Sequence, residues 1–317
     1  MTAFPFVFSN SLHSNVAGLP LEGLGLIRAS GPEARSFLQS QLTNDAKLLT
    51  LAQGQLSGYC SPKGRLLAVF TVLQLGADDF ALALPSTLVP PTLKRLKMFV
   101  LRSKLGLSDA SAELPTFGVM GEQIAETLTA QGFVVPTSDY SVAQHDGVWL
   151  LRRPGPVPRF ELRAAPERLA ALQQTLNLPP ASTDDWALAE VLAGTPQVTA
   201  ETSDHFVPQT INLDTAGGVS FTKGCYPGQE IVARVHYLGR VKQRLHLAHC
   251  AAGALPSTSI FQTDGGGQPV GELMAAAPAG HQSFMLSMAL HLDHSASTAL
   301  RLGGPDGPVI GLPQKVH

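Results

Sequence analysis

The sequence predicts an α+β protein made of several packed units, and three observations carry that prediction. Its 317 residues exceed the usual size of one domain. A meander of β-prone segments between residues 55 and 84 gives way at 117–176 to alternating strand-like and helix-like segments. Past residue 240, short strands separated by Gly, Pro and Asp clusters suggest a small barrel.

The elements follow in order. Ser30-Gly31-Pro32-Glu33 is a capping-box pattern, and Ala34, Phe37, Leu38 and Leu42 then fall at helical spacing, which predicts a helix near 31–43. Stretches 55–60, 65–75 and 79–84 are broken at Ser61-Pro62-Lys63-Gly64 and Gly76-Ala77-Asp78-Asp79, so they read as a three-stranded antiparallel meander. A short helix from Leu93 to Leu101 and a return strand from Lys104 to Ser108 complete the first region. The second region, 117–176, reads as strand 117–120, helix 121–131, strands 147–152 and 159–163, and a helix from Pro166 to Leu176. Leu178-Pro179-Pro180-Ala181-Ser182 marks a joint. Ser182 with Asp185 then caps a helix through Trp186, Ala189, Val191 and Leu192 that stops at Gly194. Residues 195–230 have little periodicity, and long irregular stretches inside compact chains are more often functional than idle. Strands near 243–249, 269–274, 284–291 and 299–302 end the chain.

Charge and composition exclude several classes. Twenty-two Lys and Arg against 24 Asp and Glu leave a net charge of −2, so no global field favours a phosphate backbone or an anionic membrane, and neither nucleic acid nor membrane is expected as a direct partner. No run reaches about 18 uninterrupted apolar residues, and Met1 to Ile27 has neither basic residue nor continuous apolar core, which argues against a secretory signal. Three cysteines, Cys60, Cys225 and Cys250, cannot make a disulfide framework, so a cytoplasmic location is expected.

The densest chemistry lies in Lys223-Gly224-Cys225-Tyr226-Pro227-Gly228-Gln229-Glu230, followed by Arg234. A thiol beside an ammonium group, between glycines that admit close backbone approach, can become a nucleophile or soft ligand; a buried small thiol in a turn is the plainer alternative. His205 and His236 are conceivable partners for Cys225. Trp186 can stack on a planar heterocycle or simply fill core. Lys63 and Arg65, at a hairpin, can meet a ligand carboxylate or be solvated. CxxC, HExxH, GxxxxGK[ST], GxGxxG and GxSxG are all missing, and His291-Leu292-Asp293-His294 reads as a solvated turn, so no metal site is expected.

The Lys223–Glu230 octapeptide, extended by Ile231-Val232-Ala233-Arg234, resembles the signature of the YgfZ family, folate-binding iron–sulfur maintenance proteins related to the glycine-cleavage T-protein. Phe37–Asp45, Ser61–Arg65, Gly194-Thr195-Pro196, Phe206–Gln209 and Asn212-Leu213 match in order, and the similarity spans about 25–240. The resemblance implies a T-protein-like three-part ring around a reduced folate, tetrahydrofolate or a one-carbon derivative. Its parts would be a core over 1–115 and 179–240, a ferredoxin-like unit over 116–178 and a β-barrel over 241–317. It implies that Cys225 is the functional thiol, and that Trp186, Leu24, Lys223, Gln229, Glu230 and Arg234 belong to the folate site. Leu24 stands where the family can offer a second tryptophan, and Pro227 replaces a frequent threonine. Enzymes of the T-protein type carry acidic residues on the strand after the glycine turn; Leu66-Leu67-Ala68-Val69 has none, so conventional turnover is not expected. The implied role is an accessory one, in assembly or repair of iron–sulfur clusters in client enzymes that include tRNA-modifying ones, with those clients or assembly proteins as partners. A folate-dependent one-carbon transferase with an unknown acceptor is the alternative.

Overall fold

The computed structural model describes residues 16–239, 241–263 and 267–316, so most of the expectation about Met1 to Ile27 lies outside the described residues. The chain begins with β1 (Ala17–Pro20), β2 (Leu24–Ser30), α1 (Ala34–Gln41), β3 (Gln55–Cys60), β4 (Leu66–Gly76) and β5 (Asp79–Pro85). Helix α2 (Val89–Val100) and β6 (Gly106–Asp109) follow. Next come β7 (Thr116–Met120), α3 (Ile124–Ala130), β8 (Val142–His145), β9 (Val148–Arg153), β10 (Arg159–Arg163) and α4 (Pro166–Leu176). After α5 (Thr183–Leu192) and α6 (Gln229–Tyr237) the chain ends in β11 (Gln243–Ala251), β12 (Ser259–Gln262), β13 (Pro269–Pro278), β14 (Ser283–His291), β15 (Leu300–Leu302) and β16 (Gln314–Lys315).

These strands form three antiparallel sheets. The first has the order β3-β4-β5-β2-β6, the second β1-β7-β10-β9-β8, and the third β15-β12-β13-β14-β11-β16. The first contains the expected meander with β2 and β6 added, and Phe37 and Leu38 of α1 pack into its core with Phe70, Leu82 and Leu84. The second buries Val119, Phe160 and Leu162 under Ile124 and Leu128 of α3 and Leu169 and Leu172 of α4. The third encloses Leu286, Met288 and Leu290 with Ile260 and Leu300. Isolated bridges join Val309 to Arg301 and Ile310 to Cys250, so one terminal segment touches both β15 and β11.

Three expectations need correction. Ser30 does not cap α1: it is the last residue of β2, paired with Asp79 and Gly106, and Gly31 turns the chain at φ 134° before the helix begins. The carboxylate of Glu33 accepts the backbone N–H of Lys104 instead of closing a capping box. Strand β1, from the segment expected in the first unit, pairs with β7 of the second sheet. Residues 195–230 also end in regular structure, because α6 begins at Gln229. Ser182 does cap α5, accepting the N–H of Asp184 at 3.1 Å.

Helix α5 joins the sheets. It is apolar on two sides, as expected of a helix buried between layers. Leu188 and Val191 pack with Leu245 and Met285 of the third sheet. Trp186 and Ala189 pack with Leu19 and Met120 of the second.

Candidate functional site

A cavity of about 450 Å³ opens where the three sheets meet α5. Leu56, Val69, Thr71 and Ala83 line it from the first sheet, Arg153 and Glu161 from the second, Met274, Ala275 and Ser287 from the third, and Trp186 and Glu190 from α5. Ligand sites favour such junctions, where an apolar wall meets a few convergent polar groups.

Trp186 is both core and wall. Only 7 % exposed, it reaches the cavity while its ring lies on Gly118 of β7. A Cβ there would stand 2.8 Å from Cζ3, so the ring occupies the space a side chain would need. The guanidinium of Arg159 sits 5.1 Å from the ring centroid. Leu24, half-buried, packs against the same cluster and also lines the cavity.

One turn beyond Trp186, Glu190 meets a buried arginine cluster. Arg153 Nη1 donates to Thr71 Oγ1 at 2.9 Å, its Nη2 donates to Glu190 Oε2 at 3.0 Å, and Arg159 Nη1 donates to Glu190 Oε1 at 2.8 Å. Glu161 pairs with Arg163 at 2.8 Å and with Arg153 at 3.4 Å. Burial alone would raise the Glu190 carboxyl, but Arg153 and Arg159 outweigh it and hold the group down at about 2. Of these charged groups Arg153, Glu161 and Glu190 line the cavity. Sequence reasoning missed these residues. Their signal was the alternation Arg159-Phe160-Glu161-Leu162-Arg163, read only as a strand, and the i, i+4 spacing of Trp186 and Glu190 on one helix face.

The octapeptide forms a second site. Lys223, Cys225, Gln229, Glu230 and Arg234 do not line the cavity, so the structure brings Trp186 and Leu24 together there and places Cys225 elsewhere. The Lys223 ammonium donates to the carbonyls of Gln39, Leu42 and Asn44 at 2.6, 2.5 and 3.1 Å. Its three donors are therefore aimed at the C-terminal end of α1, where the helix dipole favours a cation, and not at the thiol. Burial lowers it to about 8, with Asp45 pulling the other way. Tyr226 is buried with its ring 5.2 Å from the Lys223 Nζ, and burial raises its hydroxyl. Gly228 has φ 79°, and a Cβ there would lie 2.4 Å from the Ser61 carbonyl oxygen. The loop and the Ser61–Arg65 turn thus touch backbone to backbone, leaving Cys225 exposed at the surface with Glu230 and Arg234.

Neither expected histidine partner joins Cys225. His236 stacks on Phe221 at 3.7 Å and His205 stands edge-on to Phe206 at 6.0 Å; among the described residues no hydrogen bond connects either ring to the thiol. The other matched residues bind loops together. Thr43 Oγ1 donates to the Gly218 carbonyl at 2.7 Å, Asn44 Nδ2 to that of Gly217 at 2.8 Å, Gln209 Nε2 to that of Val232 at 2.8 Å and Asn212 Nδ2 to that of Val316 at 2.9 Å. Among the described residues, no group of three or more His, Cys, Asp or Glu could hold a metal ion, and no helix is long and apolar enough to cross a membrane.

This mixed architecture of antiparallel sheets around a central helix is similar to that of a glycine-cleavage aminomethyltransferase. The aminomethyltransferase T of Bartonella henselae matches 99% of this chain and 92% of its own with a TM-score of 0.69, at 14% identity. No protein-family model matches the sequence. The chain belongs to the YgfZ family: it is 34% identical over 227 residues to the tRNA-modifying protein YgfZ of Colwellia psychrerythraea, covering 72% of this chain and 69% of that one. The tRNA-modifying protein YgfZ of Photorhabdus laumondii is 30% identical over 319 residues, covering 96% and 95%.

Proposed function

We propose that the cavity holds a reduced folate, tetrahydrofolate or a one-carbon derivative, and that the protein is a cytoplasmic accessory factor in tRNA modification. On this reading it supports assembly or repair of iron–sulfur clusters in the modifying enzymes. On this reading the three sheets form its three-part ring, and the bridges of Val309 and Ile310 to β15 and β11 support taking the last sheet as a barrel. One observation carries the folate assignment: Trp186 and Glu190, one turn apart on α5, face one cavity with a planar apolar surface and a hydrogen-bonding carboxylate. A pterin offers a flat ring to the first and N–H donors to the second. The relatives' tRNA-modifying role supports the service to tRNA enzymes. The exposed Cys225 thiol supports contact with a cluster or sulfur species, at a surface apart from the folate. Val69 lines the cavity on the strand where T-protein enzymes carry acids, which supports a binding role over transfer.

Anaerobic calorimetric titration of the reduced protein with tetrahydrofolate tests the reading. Saturable binding is expected, weakened about fivefold or more in Trp186→Ala, since base–aromatic stacking contributes about 1–3 kcal/mol. A flat titration of the parent protein removes the folate assignment.

A further inference from the structure

The net charge of −2 conceals a local concentration. Lys94, Arg95, Lys97, Arg102 and Lys104 are five of the 22 basic residues, and no Asp or Glu occurs between Asp79 and Asp109. Helix α2 explains how they are displayed. Val89 and Leu96 are buried, Leu93 and Val100 pack against the core of the first sheet, and Arg95 is half-buried. Lys94 and Lys97 are exposed on the helix, and Arg102 and Lys104 on the turn after it. Among the described residues no ion pair reaches any of the four. Glu33, whose carboxylate accepts the backbone N–H of Lys104, lines one surface hollow with Leu101 and Arg102 and leaves the four basic groups in excess there.

We propose that the exposed face of α2 and the turn after it is a docking surface for the phosphate backbone of a structured RNA. The choice of RNA among polyanions rests on the tRNA-linked reading above; the surface itself rests on charge. Lys94 and Lys97 lie about one turn apart on α2, about 5 Å at a helical rise of about 1.5 Å per residue, and Leu101 at φ 45° turns the chain so that Arg102 and Lys104 follow beyond the helix end, a cluster of charges that can meet neighbouring phosphates. The helix has its apolar stripe against the sheet, so it has no continuous apolar face with which to enter a bilayer. Met98, Phe99 and Leu101 are exposed at one end only, where Phe99 can lie against an unstacked base. No residue from 89 to 104 lines the cavity, so RNA and folate would occupy different surfaces.

Fluorescence anisotropy of a labelled tRNA transcript with the full-length protein tests this. Binding is expected to weaken with salt, log K falling by about 0.7–0.9 per phosphate neutralised for each unit of log salt. The triple variant Lys94→Gln, Lys97→Gln, Arg102→Gln should bind at least about tenfold more weakly and lose about 2–3 units of that slope. All three side chains are exposed, and an unchanged denaturant midpoint verifies that the variant is folded. The surface is overturned if the parent protein does not bind the transcript at low salt, or if the triple variant binds with the parent's affinity and slope. Capture by phosphatidylglycerol vesicles without binding of the transcript would assign the face to lipid and overturn it equally. A flat folate titration with salt-dependent, variant-sensitive RNA binding supports the surface and removes only the folate assignment.

Discussion

The cavity at α5 and the loop around Cys225 solve opposite problems. In the cavity, charge is buried, and arginines of the second sheet pair with a glutamate of α5. In the loop the reactive atom is exposed, and buried neighbours hold the backbone that presents it: Lys223 on the end of α1, Tyr226 beneath, and Gly228 against Ser61. The first depends on long-range pairs whose loss leaves an unpaired charge; the second depends on local backbone approach. Perturbing one should therefore spare the other.

The largest effect is expected in the charge cluster. Glu190→Gln leaves Arg153 and Arg159 buried without their shared carboxylate, which should cost about 3–5 kcal/mol in a denaturant titration near neutral pH. The acid limb of stability should change as well. The folded Glu190 sits at about 2, below its unfolded value of about 4.3, so its stabilisation is present above the unfolded value and is lost as pH falls through about 2. That loss amounts to about 3 kcal/mol in the parent and should be missing from the variant. A parent and a variant with superimposable acid limbs would mean that the cluster does not hold Glu190 ionised.

Next is the loop. Gly228→Ala places a Cβ at positive φ and 2.4 Å from the Ser61 carbonyl, which should cost about 2 kcal/mol or more. Hydrogen exchange should quicken in residues 223–230 and in the 61–65 turn, while ligand affinity at the cavity stays unchanged. A change in that affinity would show that the two sites are coupled.

A smaller effect, of opposite locality, is expected at Gly118. Gly118→Ala displaces the rigid Trp186 ring, and overpacking of this kind costs about 1–3 kcal/mol. Tetrahydrofolate affinity should fall up to about tenfold, with the exchange of residues 223–230 unaltered.

What the sequence made legible follows the same division. The meander, α3, α4 and α5 were readable because their apolar spacing and caps are local, and the Cys225 loop was readable because its residues are contiguous. Strands β1 and β2 were missed: β1 has four residues whose partners, β7 and Pro180, are distant in sequence, and β2 is nearly continuous apolar chain. The arginine–glutamate cluster could not be read, since Arg153, Arg159 and Glu190 come from separate elements and each looks solvated in isolation. The position of Lys223 also misled. Two residues from Cys225, it reads as the thiol's cation, but the fold points it at carbonyls about 180 residues away in sequence.

The smallest thermodynamic effect should accompany the most informative residue. Cys225 is exposed and makes no hydrogen bond among the described residues, so Cys225→Ser should change stability by less than about 0.5 kcal/mol. Cys60 and Cys250 are buried; burial, joined by Asp204, pushes the Cys60 thiol up to about 12, and burial raises Cys250. Native protein treated with iodoacetamide near neutral pH should therefore take one adduct, on Cys225, and peptide mass spectrometry identifies it. Equal labelling of all three thiols would mean that the core opens readily. A single adduct at Cys225 with the tetrahydrofolate titration unchanged would show that the thiol and the cavity are chemically separate, and the role of the thiol would then have to be sought in what docks on that surface.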